Sequence, residues 1–214
     1  MDKKKVIGFY DYTVVLTYLG MMLAFIGILK VLNGLFTDSI LCLMGAGVCD
    51  MFDGTVASTK VRNCYEKHFG IEIDSLCDLI SFGVLPAIFV YMISGKDALI
   101  GLLACIYTLC GLIRLAYFNV QEFERQKLSN AKREVYLGVP ITTSVIVLPL
   151  VYLIYTKVHL TGIWIFPLTM VFLGAGFVAG IEIKKPNLAG RIVMIVVGIM
   201  ELAGVFVLSG ADFL

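Results

Sequence analysis

Apolar residues run along this chain in blocks of roughly twenty, the length a helix needs to cross a ~30 Å hydrocarbon layer at 1.5 Å per residue. Seven blocks are legible, at 13–32, 38–59, 72–94, 98–118, 139–157, 160–181 and 191–210. Turn formers separate them: Asn33-Gly34, Ser94-Gly95, Gly138 with Pro140, and Lys184-Lys185-Pro186-Asn187. The pattern predicts an all-α fold, a polytopic transmembrane helical bundle of about six to eight spans. No long polar linker divides the chain, so residues 1–214 read as a single integral-membrane domain.

The polar positions set an orientation. Lysine and arginine accumulate in cytosolic loops of membrane proteins. With the N-terminus in the cytosol, 14 of the 17 basic residues fall on that side, leaving only Lys30, Lys96 and Lys157 outside. The basic opening Met1-Asp2-Lys3-Lys4-Lys5 precedes a long apolar block without a small-residue cleavage site, so it reads as the lead-in to a retained first span.

Composition agrees with the pattern and narrows the classes. The chain is 59% hydrophobic and 15% charged, with mean hydropathy +0.93. A soluble domain carries about 25% charged residues, and a disordered one lacks this hydrophobicity. A net charge of +1 gives no basic field for nucleic acid. Of six cysteines, only Cys64 falls in a loop and none forms a CxxC pair; they read as small core residues rather than a disulfide framework.

Four carboxylates break the apolar pattern. Asp50 and Asp53 lie near the cytosolic end of the second block, and Asp74 and Asp78 open the third. A charge inside a span is costly and marks function by default. At ~100° per residue, Asp50, Asp53, Gly54 and Ala57 share one helical face, and Asp74 and Asp78 share another one turn apart. The short loop between the blocks makes the two helices antiparallel neighbours, so the four carboxylates converge at one depth. Two such charges ~4 Å apart repel by roughly 4 kcal/mol at an effective dielectric of 20. A proton or a cation must intervene, and oxygen-only ligands suit Mg²⁺, Mn²⁺ or Ca²⁺. Metals on shared carboxylates are a known means of displacement at phosphorus. Gly54 and Ala57 leave room for a ligand against the helix backbone.

The run Asp50-Met-Phe-Asp53-Gly54-Thr-Val-Ala57, followed by Gly70-Ile-Glu-Ile-Asp74-Ser-Leu-Cys-Asp78, resembles the signature of the CDP-alcohol phosphatidyltransferase family, DxxDGxxAR then GxxxDxxxD. Further stretches look like its phosphatidylserine-forming branch: Ser81-Phe82-Gly83 with Pro86-Ala87, Gly111-Leu-Ile-Arg114-Leu-Ala-Tyr117-Phe-Asn119, and Tyr136-Leu-Gly138-Val-Pro140. Departures are visible too. Ser58 stands where the family has arginine, the spacer from Ala57 to Gly70 is longer than usual, Thr17 stands where asparagine is common, and Tyr117 replaces an arginine.

The resemblance implies a two-metal transfer site. Asp50, Asp53, Asp74 and Asp78 would bind Mg²⁺ or Mn²⁺, with Ca²⁺ as a possible occupant, and Asp78 would also be the general base. Gly54 and Ala57 would face the nucleotide, and Lys60 or Arg62 would supply the positive charge absent at Ser58. The implied reaction transfers a phosphatidyl group from CDP-diacylglycerol to L-serine, releasing CMP. Arg114 has two readings: snorkelling to lipid phosphates, or binding the serine carboxylate or a phosphate. The resemblance also implies a homodimer among membrane lipids, in a bacterial or archaeal plasma membrane, with the active site facing the cytosol. Two alternatives stay open. A sister enzyme would use inositol phosphate, glycerol phosphate or choline. A divalent-cation transporter would continue polar residues through the membrane, and none occur in Ile40–Ala46 or Leu85–Ile93.

Overall fold

The computed structural model describes residues 7–128, 135–158, 164–184 and 188–211. The basic N-terminal stretch, His159, Lys185 to Asn187 and the basic pair Lys132-Arg133 lie outside them. Among the described residues eight α-helical segments form: α1 (Val15–Leu32), α2 (Phe36–Ala57), α3 (Cys64–Asp78), α4 (Leu85–Ile93), α5 (Ala98–Leu128), α6 (Ser144–Lys157), α7 (Ile165–Val178) and α8 (Leu188–Ala211). A π-helical turn, Leu79–Val84, joins α3 and α4 into one rod. Seven rods thus stand where seven blocks are predicted. Four are long and apolar enough to cross a membrane: Tyr12–Leu32, Phe36–Ala57, Cys64–Ile93 and Ala98–Arg125. Apolar side chains face outward along them, as Leu19, Met22, Phe25 and Leu29 do on α1 and Leu102, Ile106, Leu109 and Ile113 do on α5. Outward apolar faces on helices with a buried apolar core mark an integral membrane protein.

Small residues bring the first two helices together. A Cβ added at Gly20 would lie 3.2 Å from the Cys49 Cβ, and one at Gly27 would lie 3.0 Å from that of Cys42. Gly20, Ala24 and Gly27 form the buried seam of α1, a spacing that lets backbones approach without a hydrophobic driving force between helices. This close pairing ties α1 to the helix that carries Asp50 and Asp53.

Two boundaries differ from the apolar pattern. The third rod begins at Cys64 rather than 72, because Asn63 and Glu66 form a capping box. Glu66 N–H donates to Asn63 Oδ1 at 2.8 Å, and Asn63 N–H donates to Glu66 Oε2 at 2.9 Å. That signal is polar and local, so hydropathy does not register it. α5 continues to Leu128, ten residues beyond its apolar block, so the start of the basic run 125–133 is helical.

A two-stranded antiparallel ribbon, β1 (Val135–Leu137) with β2 (Glu182–Lys184), was not expected. It links the chain before α6 to the chain after α7. Gly138 follows β1 with φ +74°, and its N–H donates to the Ile181 carbonyl at 2.9 Å. A side chain there would meet the Phe177 carbonyl at 2.6 Å, which gives the Gly138-Val-Pro140 stretch its physical reason.

The core is aromatic at its centre. Phe82, Phe89, Phe166 and Phe177 are almost fully buried, and Phe89 meets both Tyr152 and Phe166 edge to face. At Phe82 the core reaches a small cavity that Asp50, Asp53 and Asp78 also line.

Candidate active site

The end of α2 and the start of α3 present the four carboxylates to each other. One oxygen each from Asp50, Asp74 and Asp78 lies within 4.8 Å of the others. Asp50 is within hydrogen-bonding reach of Asp78, and Asp53 of Asp74, so the pairs bridge the two helices. Asp53 is buried and accepts a hydrogen bond from the Thr17 hydroxyl of α1 at 3.2 Å. Thr17 thereby enters the site from a third helix. All ligand atoms here are oxygens, and carboxylates this close need a proton or a cation between them. The set fits a hard divalent cation, which Asp50, Asp74 and Asp78 would hold with Asp53 adjoining.

Two cavities flank the cluster. The larger, about 160 Å³, is lined by Thr13, Val14, Thr17, Asp53, Gly54, Ala57, Arg62, Gly70, Ile71 and Asp74. The smaller, about 10 Å³, lies against Asp50, Asp53, Asp78, Cys77 and Ser81 and has room for about one water-sized particle. Nothing lies within 4 Å of where a Gly54 side chain would start, so the helix backbone there is open to a ligand. Five of the seven matching signature residues line the larger cavity; Asp50 and Asp78 line the smaller one. Away from the cluster the path is closed by apolar side chains. Ile40, Leu43, Met44 and Ala46 of α2 are buried against Leu85, Phe89 and Val90 of α4 in one core.

Lys60 and Arg62 occupy different surroundings, although only two residues apart. Lys60 donates to Asp11 Oδ2 at 2.7 Å and lies 3.7 Å from Glu66. Asp11 also caps the short 3₁₀ turn Tyr12–Val14 by accepting from the Thr13 backbone at 2.8 Å and from the Thr13 hydroxyl. The Lys60 ammonium, with Thr13 behind it, holds the Asp11 carboxyl down to about 2, and Asp11 in turn raises Lys60. Tyr12 and Thr59 share a hydroxyl hydrogen bond of 3.1 Å alongside. Lys60 is therefore a strut between the N-terminal segment and the loop after α2, and it does not line the cavity. Arg62 does. Its guanidinium covers Gly70, where an added Cβ would come within 2.8 Å of an Arg62 nitrogen.

Arg114 stacks its guanidinium over Phe118, 5.8 Å from the ring centroid, and lines neither cavity. One turn further along α5, Asn119 accepts from Ser75 at 2.8 Å and donates toward Glu72 at 3.4 Å. That contact fastens α5 beside Asp74. Glu201 of α8 is buried, and neither carboxyl oxygen has a hydrogen-bond partner among the described residues.

Sequence reasoning reached the carboxylates and the cavity's small residues but passed over Asp11, Tyr12 and Thr13. Their role comes from contacts 47 to 49 residues away in the chain, for which a single sequence carries no signal.

Comparison with known proteins gives a consistent set of relatives. The family model described as CDP-alcohol phosphatidyltransferase matches residues 12–181. The chain is 38% identical over 109 residues to a CDP-diacylglycerol–serine O-phosphatidyltransferase of Saccharomyces cerevisiae, covering 50% of this chain and 38% of that protein. It is 34% identical over 122 residues to an archaetidylserine synthase of Methanothermobacter thermautotrophicus, covering 56% and 52%. With a CDP-diacylglycerol–serine O-phosphatidyltransferase of Bacillus subtilis it shares 30% over 106 residues, covering 49% and 54%. The chain thus spans about half the length of these relatives, or less.

Proposed function

The chain belongs to the CDP-alcohol phosphatidyltransferase family, and from that premise we propose that it is a phosphatidylserine synthase, an enzyme that moves the phosphatidyl group of CDP-diacylglycerol to the hydroxyl of L-serine. The observation that carries this reading is the convergence of Asp50, Asp74 and Asp78 beside a cavity lined by Gly54, Ala57 and Arg62. Relatives named for serine transfer, from a yeast, a bacterium and an archaeon, support serine as the alcohol.

In this reading the serine oxygen attacks the phosphorus that bears diacylglycerol. The bond from that phosphorus to the oxygen bridging to CMP breaks, and CMP leaves with the electron pair. Asp78 takes the proton of the serine hydroxyl. Asp50, Asp53, Asp74 and Asp78 would hold Mg²⁺ or Mn²⁺, which when bound would offset the charge of the diphosphate and lower the pKa of the attacking alcohol. Gly54 and Ala57 let the nucleotide lie against α2. Arg62 supplies the cation absent at Ser58, reaching the diphosphate from the loop rather than from the helix. Lys60 holds that loop. Arg114 receives the serine carboxylate or a lipid phosphate from its place on α5.

Location follows the same logic. The carboxylate end carries the excess of basic residues, which supports a cytosolic face and a cytosolic N-terminus. The nucleotide and serine then arrive from water while the acyl chains stay in the bilayer. The host membrane is the plasma membrane of a bacterium or archaeon, the working unit is a homodimer, and residues 1–214 act as one catalytic domain.

The test is CMP release by purified protein in lipid–detergent micelles containing CDP-diacylglycerol and Mn²⁺ or Mg²⁺. L-serine, inositol phosphate, glycerol phosphate and choline are supplied separately. Release with serine alone, abolished by chelator, is expected. Release with another alcohol would move the enzyme to a sister branch, and no release with any would overturn the reading and call for a cation-flux assay.

A further inference from the structure

The third rod changes helical phase just above its carboxylates. Residues Leu79–Val84 form a π-turn, in which the Leu85 N–H donates to the Ile80 carbonyl five residues back. The turn carries one residue more than an α-helical turn, so it rotates one half of the rod against the other by about 100°. Asp78 and Leu85 are seven residues apart. In an uninterrupted α-helix they would project within about 20° of each other. With the turn in place, Leu85, Phe89 and Val90 enter the core while Asp74 and Asp78 face the carboxylates of α2.

Something must hold this turn, because an α-helix is the lower-energy path for the chain. Pro86 does so in part. It has no N–H to give the carbonyl of Phe82 four residues earlier. That carbonyl instead accepts from the Tyr107 hydroxyl of α5 at 2.8 Å and from the Ser144 hydroxyl at the start of α6 at 3.3 Å. Tyr107 and Ser144 are themselves buried, at 2% and 0% exposure, and Ser144 shares its one hydroxyl hydrogen between the Phe82 carbonyl and the nearer Ile141 carbonyl at 2.9 Å. In an apolar bundle no water is at hand to take their place.

Resting on the metal-site reading above, we infer that Tyr107 and Ser144 are positioning residues: by capping the Phe82 carbonyl they lock the π-turn and so set the direction in which Asp74 and Asp78 meet a divalent cation. Neither Tyr107 nor Ser144 lines the cavities beside the carboxylates. They act through the backbone, as outer-shell partners of metal ligands do elsewhere.

The experiment is Mn²⁺ binding to purified detergent-solubilised protein, read from the electron paramagnetic resonance signal of free Mn²⁺, with thermal melting recorded in parallel. Tyr107→Phe removes only the hydroxyl and is expected to weaken Mn²⁺ binding about tenfold, and Ser144→Ala about threefold. Thr37→Val is the control. It breaks another buried hydroxyl pair, Thr37 with Tyr152 at 2.8 Å, at the opposite end of α2 from Asp50 and Asp53. It is expected to lower the melting temperature and leave Mn²⁺ affinity at the wild-type value. Wild-type affinity in both Tyr107→Phe and Ser144→Ala overturns the inference. If Tyr107→Phe fails to fold, Ser144→Ala decides by the same measure. Weakening in Thr37→Val equal to that in Tyr107→Phe also overturns it, because the effect is then general loosening. Absence of Mn²⁺ binding in the wild type overturns the metal-site reading itself, which is a distinct result.

Discussion

Two parts of this bundle place carboxylates among apolar helices and treat them oppositely. Where α2 ends and α3 begins, four aspartates gather, paired across the helices, with Thr17 donating to Asp53 and a cavity beside them. In α8, Glu201 is buried alone with no hydrogen-bond partner for either oxygen among the described residues. A carboxylate in a low-dielectric setting is expensive in both places. On the proposed reading the cluster turns that cost into an affinity, because a divalent cation would neutralise several groups at once. The lone group has no such outlet. Clustering, rather than burial, therefore separates a site from an oddity in a membrane bundle.

The strongest way to break this comparison is to remove one member of the cluster while keeping its shape. Asp78→Asn is expected to lower CMP release by about 10²–10⁴-fold, the range over which general-base groups act. Binding of the CDP-lipid in the presence of metal should largely survive, since Asp50, Asp53 and Asp74 stay in place. Near-normal turnover in that variant would remove Asp78 as the base and leave it a ligand at most.

Next in size is the cation that faces the cluster. A hydrogen bond to a charged group contributes about 1.5–3 kcal/mol. Arg62→Ala is therefore expected to raise the KM for CDP-diacylglycerol by about tenfold or more, with a smaller change in kcat. Placing arginine at Ser58 in the Arg62→Ala background should restore part of the loss, since it returns the cation to the position the family uses. No change in KM on losing Arg62 would show that the diphosphate lies elsewhere in the cavity.

A smaller effect separates the strut from the ligand. Asp11→Asn leaves Arg62 intact and leaves Lys60 with only the longer contact to Glu66, and a partly solvated ion pair of this kind has modest strength. The KM for CDP-diacylglycerol should rise a few-fold at most, and 0.5 M salt should reduce the wild type toward the variant. The pH dependence has a definite sign. Asp11 titrates near 2 in the folded protein against an ordinary 3.8. Its contribution to stability is complete above the unfolded value and is lost as pH falls from about 4 toward 2. Between pH 5 and 8 the melting difference between wild type and Asp11→Asn should be flat. A slope there would assign the effect to another group.

The fold was legible in the sequence to the extent that lipid dictates it. Seven apolar blocks became seven rods, because a chain in hydrocarbon must satisfy its backbone within helices. The four aspartates stood out for the same reason: charge at that depth is costly, and these four break the apolar pattern together. Features set by local polar groups or by distant contacts were not legible. Asn63 and Glu66 extend α3 through a polar cap that an apolar count ignores. The π-turn at Leu79–Val84 shows in sequence only as Gly83 and Pro86, which fit an ordinary helix start equally well. The contrast between Lys60 and Arg62 depends on Asp11, far off in the chain, and no spacing rule distinguishes two cations two residues apart.

The smallest effect on activity belongs to the other half of the comparison, and it tests whether isolation is what disqualifies Glu201. Its helix packs on α2 and α6, and three residues on, Gly204 sits against Leu153. Glu201→Leu keeps similar bulk and removes two oxygens that have no hydrogen-bond partner. Replacing an uncompensated buried polar group by an apolar one of like shape is neutral or stabilising, by about 1–3 kcal/mol. CMP release should stay at the wild-type level while the protein melts at a higher temperature. The same substitution at Asp53, buried to a like degree, should abolish activity whatever it does to melting. If Glu201→Leu instead lost activity, burial alone would be a sufficient mark of function in this bundle, and the lone carboxylate would need a partner that the clustered ones already have in each other.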